Sequence, residues 1–116
     1  INPLLVAEQQ RGSVVTGLGD ALYEHCIYDA AGQLLNATMA DYLVPMSAEM
    51  PDIVVEHVMT PTSKTTLGAK GAGESGTAGA PQTILSAVND AIRPFGGAIS
   101  NVPVTPEDVL QALARA

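Results

Sequence analysis

A chain of 116 residues is long enough for one domain with its own core, so neither disulfides nor a structural metal is needed for folding. Hydrophobic residues make up 47% and charged residues only 15%, against a usual charged share of about 25%. So little charge points to a surface covered by a partner or by further chain, a mildly apolar free domain being the plainer alternative. The net charge of −7, with Arg11, Lys64, Lys70, Arg93 and Arg115 scattered along the chain, argues against nucleic acid and anionic membranes as partners. Cys26 is the single cysteine, which excludes an internal disulfide and a cysteine-based metal site, and a reducing cytoplasm is the simplest compartment. No apolar run approaches the roughly 18 residues of a membrane span, and the N-terminus has no signal-peptide pattern. The absence of a starting Met leads us to expect that Ile1 was not the first residue made.

In chain order, Pro3 to about Glu24 carries apolar residues near helical spacing at Leu4, Leu5, Val15, Leu18 and Leu22, with Asn2 as N-cap and Pro3 at the first helical position. Gly12, Gly17 and Gly19 lie inside this helix at a cost of about 1 kcal/mol each, which predicts close approach of another backbone or a ligand. "CIYDAAGQLLNATMADYLVP" reads as a hairpin turning at "DAAG", with Pro45 closing the second strand. "DIVVEHVM" has the β-branched enrichment of a third strand.

Thr60 to Pro81 is a long polar, glycine-rich connection, and loops of that length are usually functional or disordered. Pro81 to Phe95 reads as a second helix, opened by Pro81 and closed by Pro94. "AISNVPV" is a short strand, and Thr105, Pro106 and Asp108 open a last helix. The order α, β, β, β, α, β, α predicts one α+β domain over residues 1–116, a mixed and mainly antiparallel sheet packed with helices.

The stretch Gly68 to Pro81, "GAKGAGESGTAGAP", holds one acid, Glu74, and no other lies between His57 and Asn89. "GAGESG" formally matches G-x-G-x-x-G, but no strand leads directly into it and no acid follows at the distance a dinucleotide ribose needs, so the context rejects that reading. What survives is a backbone free of side-chain bulk just before a helix N-terminus, where amides can converge on an anionic cofactor. A carboxylate held there and shielded from water can serve as a general base. Taken alone, a lone loop acid is by default a solvated turn residue.

"GAKGAGESGTAGAP" followed by "ILSAVNDAIRPFG" resembles the C-terminal signature of the molybdopterin-binding large subunit in the xanthine dehydrogenase, aldehyde oxidase and aerobic carbon monoxide dehydrogenase family. "INPLLVAEQQRG", "GLGDALYE", "YDAAGQLL", "DYLVP" and "VPVTPEDVL" occur in the order and spacing of that family, so the resemblance covers essentially the whole chain. It implies that Glu74, in Lys70-Gly71-Ala72-Gly73-Glu74, stands beside the molybdenum as the base while oxygen is delivered to an electron-poor carbon. It further implies that the backbone of Gly71, Ala72 and Gly73 lines the cofactor and that Gln9 approaches it.

The cofactor implied is of the molybdopterin type, with iron-sulfur clusters and FAD on other domains or subunits. The implied partners are the remainder of the large subunit, the iron-sulfur and flavin subunits or domains, and a small-molecule substrate: an aldehyde, an N-heterocycle or carbon monoxide. Thr16 stands where many members have Gln, so that residue's role does not carry over. A non-catalytic domain of the same ancestry, serving assembly or cofactor enclosure, is the alternative. Cys26 reads as a buried structural thiol, His25 and His57 as structural or surface residues without a metal-ligand pattern, and the four methionines as core or interface fillers.

Overall fold

α1 spans Pro3–Leu22 and starts as its sequence dictates: the Asn2 side chain accepts from the Leu5 N–H at 3.2 Å, and Pro3 occupies a position that needs no N–H. The structure, a computed structural model, describes residues 1–115. α2 spans Ser75–Ile92, and α3 spans Pro106–Ala114. Single 3₁₀ turns at Ser47–Glu49 and Arg93–Phe95 complete the regular structure. Among the described residues there is no strand, only one isolated antiparallel bridge between Tyr28 and Leu34. The expected α+β fold with a mainly antiparallel sheet is therefore corrected to a helical one.

Each expected strand fails for a physical reason. The predicted hairpin has its turn, closed by Gly32 N–H donating to Asp29 O at 3.0 Å, but it pairs only around Tyr28 and Leu34, with no third strand to support it. Residues 52–59 have strand composition but no neighbour to pair with among the described residues; the Ile53 carbonyl accepts instead from Arg11 Nε at 3.0 Å. Around Ile99 the backbone is satisfied by a helix side chain, since Asn89 Nδ2 donates to Ile99 O at 2.7 Å and Ile99 N–H donates to Asn89 Oδ1 at 2.8 Å. Val104 N–H then donates to Ala21 O at 2.7 Å, which pins this segment to the end of α1. β-branched composition selects extended backbone, but a sheet also needs partners, and here the partners are helices.

α1 and α2 form the main contact of the fold. Ser13, Gly17 and Ala21 repeat at every fourth position on α1, all buried, and Gly76 and Ala80 have the same spacing on α2, where they are half-buried, so the two backbones come close. A Cβ at Gly76 would stand 2.6 Å from Val14 N, and one at Gly17 would stand 2.9 Å from Ala80 Cβ. Thr77 Oγ1 donates across the seam to Ser13 O at 3.1 Å.

α2 begins six residues earlier than Pro81, which lies inside the helix rather than opening it. A proline there removes the N–H that Thr77 O would accept and crowds the preceding turn. Its ring is accommodated because Gly17 leaves room, with the Pro81 Cδ 3.0 Å from where a Gly17 Cβ would be. The helix stops at the Arg93–Phe95 turn, where Gly96 takes φ 80°.

The core is small. Leu85, Ile92, Ile99 and Val104 are buried together, with Leu22, Val88, Val109 and Ala112 packed on them. α3 closes this cluster and carries the predicted reciprocal cap: Asp108 N–H donates to Thr105 Oγ1 at 3.1 Å, and Thr105 N–H donates to Asp108 Oδ2 at 2.9 Å. The Thr105 backbone N–H, then its hydroxyl, holds the Asp108 carboxyl below its ordinary range.

Candidate functional site

The glycine loop ends where α2 begins, and Glu74 is the N-cap residue at that junction. Its side chain makes no capping hydrogen bond and is exposed, so this chain by itself does not provide the expected shielding from water. Gly71, Ala72 and Gly73 run up to it. A Cβ at Gly71 would meet nothing within 4 Å, and its φ lies in the ordinary range, so neither backbone strain nor crowding by this chain calls for glycine there. Gly73 differs, because a Cβ there would stand 3.3 Å from Gln9 Cγ and 3.6 Å from Gln9 Nε2. Gln9 and the loop therefore meet although 64 residues separate Gln9 from Gly73.

Gln9, Lys70, Ala72 and Gly73 line one cleft of about 400 Å³, closed on the far side by the apolar first turn of α1 with Leu5 and Val6. Among the described residues no protein acceptor is found for the backbone N–H groups of Gly71, Ala72 and Gly73. Backbone donors left free just ahead of a helix N-terminus suit an anionic group. Lys70 points away into the loop's own base, with Nζ donating to Thr60 Oγ1 at 2.6 Å, and Thr65 Oγ1 donates to Ala69 O at 3.0 Å.

One residue of the loop's support escapes a reading of the sequence. Gln10, half-buried on the α2-facing side of α1, donates from Nε2 to Ala72 O and accepts at Oε1 from Ser75 Oγ at 2.9 Å. Its place three residues before Ser13 and seven before Gly17, on the stripe of small residues, is the signal that could have found it.

The other singled-out residues fall elsewhere. Cys26 is exposed rather than buried. Met39, Met46 and Met59 are exposed, so they fill no core within this chain. His25 contributes its carbonyl to Asn36 Nδ2 at 2.6 Å. Among the described residues no three His, Cys, Asp or Glu side chains gather as a metal site, and no helix is long and apolar enough to cross a membrane. A second cleft of about 350 Å³, between Gly96 to Asn101 and α3, contains none of the predicted site residues.

Known proteins share this fold and much of this sequence. A family model described as a molybdopterin cofactor-binding domain matches residues 1–51. The nicotine 6-hydroxylase large subunit of Paenarthrobacter nicotinovorans is 45% identical over 97% of this chain and 14% of its own length. The carbon monoxide dehydrogenase large chain of Hydrogenophaga pseudoflava is 34% identical over 97% of this chain and 14% of its own. Among solved structures, quinoline 2-oxidoreductase from Pseudomonas putida 86 superposes with a TM-score of 0.94 at 40% identity, covering 98% of this chain and 14% of that one.

The chain belongs to the molybdopterin-binding large-subunit family that includes xanthine dehydrogenases, aldehyde oxidoreductases and carbon monoxide dehydrogenases. It spans 14% of the length of the nicotine 6-hydroxylase and carbon monoxide dehydrogenase relatives.

Proposed function

We propose that this chain is the C-terminal catalytic segment of a molybdenum hydroxylase large subunit, with Glu74 as general base and with Gln9, Gly71, Ala72 and Gly73 lining the cofactor. The observation that carries the reading is the meeting of Gln9 with Gly73 in one cleft, beside three backbone N–H groups without an acceptor among the described residues. The donor set fits a molybdopterin-type group: amide donors suit its anionic part, the glutamine amide can donate or accept, and Gly71 leaves open space where a side chain would intrude. When bound, the cofactor supplies oxygen transfer and accepts the electron pair.

The chain's own residues do the rest. Glu74 follows Gly73 directly, so a group seated on the loop has the carboxylate at its edge. Its Oε atoms take up the proton released when oxygen is delivered to an electron-poor carbon. The seam between α1 and α2 supplies rigidity, because Gln9 and the start of α2 ride on helices locked at Ser13, Gly17 and Gly76. The remainder of the large subunit supplies the substrate pocket and covers Glu74, and iron-sulfur and flavin domains or subunits carry electrons away. An aldehyde, an N-heterocycle and carbon monoxide are the substrate classes. Likeness to a nicotine hydroxylase and a quinoline oxidoreductase favours an N-heterocycle as the first to try.

Glu74→Gln in the complete, cofactor-loaded enzyme tests this. The change keeps the shape and removes the base, and kcat is expected to fall by at least about 10²-fold. Activity kept within about tenfold would leave the loop a role in assembly or cofactor enclosure alone.

A further inference from the structure

The loop that carries Glu74 is held at its two ends by different devices. At the start, Lys70 and Thr65 tie it to its own base. At the end, the hold comes from a different part of the chain: Gln10 reaches from α1 to Ala72 O with its amide nitrogen and to Ser75 Oγ with its amide oxygen. The hydroxyl of Ser75 also lies 3.2 Å from Ala72 O, so Gln10, Ala72 and Ser75 close a triangle around Gly73 and Glu74.

The chemistry fixes the orientation of the amide. A carbonyl only accepts, so the NH₂ of Gln10 must face Ala72, and the opposite oxygen is left to receive the serine hydroxyl. No hydrophobic residue can replace both bonds, and Glu at this position lacks the donor that Ala72 needs. Gln10 itself has little freedom, since Ser13 one turn later is buried against Gly76.

Resting on the reading of Glu74 as base, we propose that Gln10 is a positioning residue: it sets the backbone on either side of Glu74, through Ala72 O and Ser75 Oγ, and so fixes where the carboxylate stands. Gln9 and Gln10 then divide the work, Gln9 facing the cleft and Gln10 facing the loop's frame. Gln10 does not itself line the cleft; it acts through Ala72 O and Ser75 Oγ, so its loss changes the placement of the base while Glu74 itself is retained.

The test uses the complete enzyme with Gln10→Met, which keeps length and helix propensity, together with Ser75→Ala, Ser75→Thr and Glu74→Gln. Two readouts are taken. The first is amide exchange of Ala78, whose N–H donates to Glu74 O at 3.2 Å and reports whether the start of α2 stays closed. Gln10→Met and Ser75→Ala should each speed it by about tenfold, the cost of one lost hydrogen bond, and Ser75→Thr should restore it.

The second is steady-state kinetics, in which kcat should fall by about 10- to 100-fold with KM changed by less than about threefold, the pattern of a misplaced base. Unchanged exchange with kcat within about twofold of wild type overturns the proposal, and so does faster exchange with unchanged kcat. If Glu74→Gln retains activity, the reading of Glu74 as base falls on its own, and the positioning role falls with it; the exchange arm still reports separately whether Gln10 orders the loop.

Discussion

Tyr42 and Glu24 show how one hydrogen bond in this chain becomes a pH dependence. Tyr42 Oη donates to Glu24 Oε2 at 2.8 Å, joining the end of α1 to the segment that precedes Pro45. Removing the phenol proton breaks that bond and sets two negative charges together. The bond to Glu24, more than burial or the wider field of acids, pushes the Tyr42 pKa up from 10.0 to about 12. A pKa raised in the folded state means that the native protein holds the proton more tightly than the unfolded chain does. The stabilisation is therefore fully present below pH 10 and is lost as pH rises from 10 toward about 12. Subtracting the phenolate absorbance titration of Tyr42→Phe from that of the wild type isolates this residue. Its midpoint is expected near 12 in the wild type and closer to 10 in Glu24→Gln. Equal midpoints in the two backgrounds would detach Tyr42 from Glu24.

At the scale of elements, the seam between α1 and α2 is specified by what its glycines leave out. Gly76 meets the backbone of Val14 at 2.6 Å from an added Cβ, and backbone cannot turn aside as a side chain can. Gly76→Ala is expected to destabilise the complete protein by about 1–3 kcal/mol through overpacking, even though Ala is the better helix former. Urea unfolding of the pair, Gly76→Ala beside Gly79→Ala, makes the contrast, since Gly79 has nothing within 4 Å. A Gly76→Ala protein as stable as its Gly79→Ala counterpart would refute the seam.

Sequence spacing reached part of this. The caps at Asn2 and Thr105 are local chemistry, and both form as read. Glycine cost within α1 foretold the close approach of a backbone at Gly17, whereas Gly19 meets the side chains of Glu24 and Pro45 and Gly12 meets nothing among the described residues. The start of α2 was misread because Pro81 is a strong local signal for a first turn, whereas the contact with Gly17 that lets it sit inside the helix is tertiary. The strands were misread for a similar reason: composition reports a preference for extended backbone, and pairing depends on which neighbours are present. The resemblance singled out Gln9, and Gln9 lies against Gly73 of the loop. Gln10 was not singled out, because its value lies in a contact 62 residues away in the chain.

The whole molecule is more open than a self-sufficient domain. Its radius of gyration is 17.9 Å, against about 13 Å for a compact chain of this size. Its accessible surface is 8436 Å², against about 5,900 Å² for a folded monomer of this mass. The excess of about 2,500 Å² is on the scale of a permanent interface rather than of a rough surface. Apolar side chains lie on it: Leu4, Met39, Val54, Val58, Met59 and Phe95 are each more than two-thirds exposed. Among the described residues no large side chain is fully buried, and the buried core is Ala21 together with the cluster of Leu85, Ile92, Ile99 and Val104.

Such a core offsets little of the entropy of ordering more than a hundred residues, so the geometry depends on whatever covers the apolar face. The 116-residue chain on its own is therefore expected to bind a hydrophobic dye and to unfold in urea without a sharp transition, while in the complete subunit α1 and α2 are protected from amide exchange. A steep, two-state urea transition of the isolated chain with no dye binding would show that the helix seam suffices for folding. The low charge share would then belong to a stable free domain, and the exposure of Glu74 would be its working state.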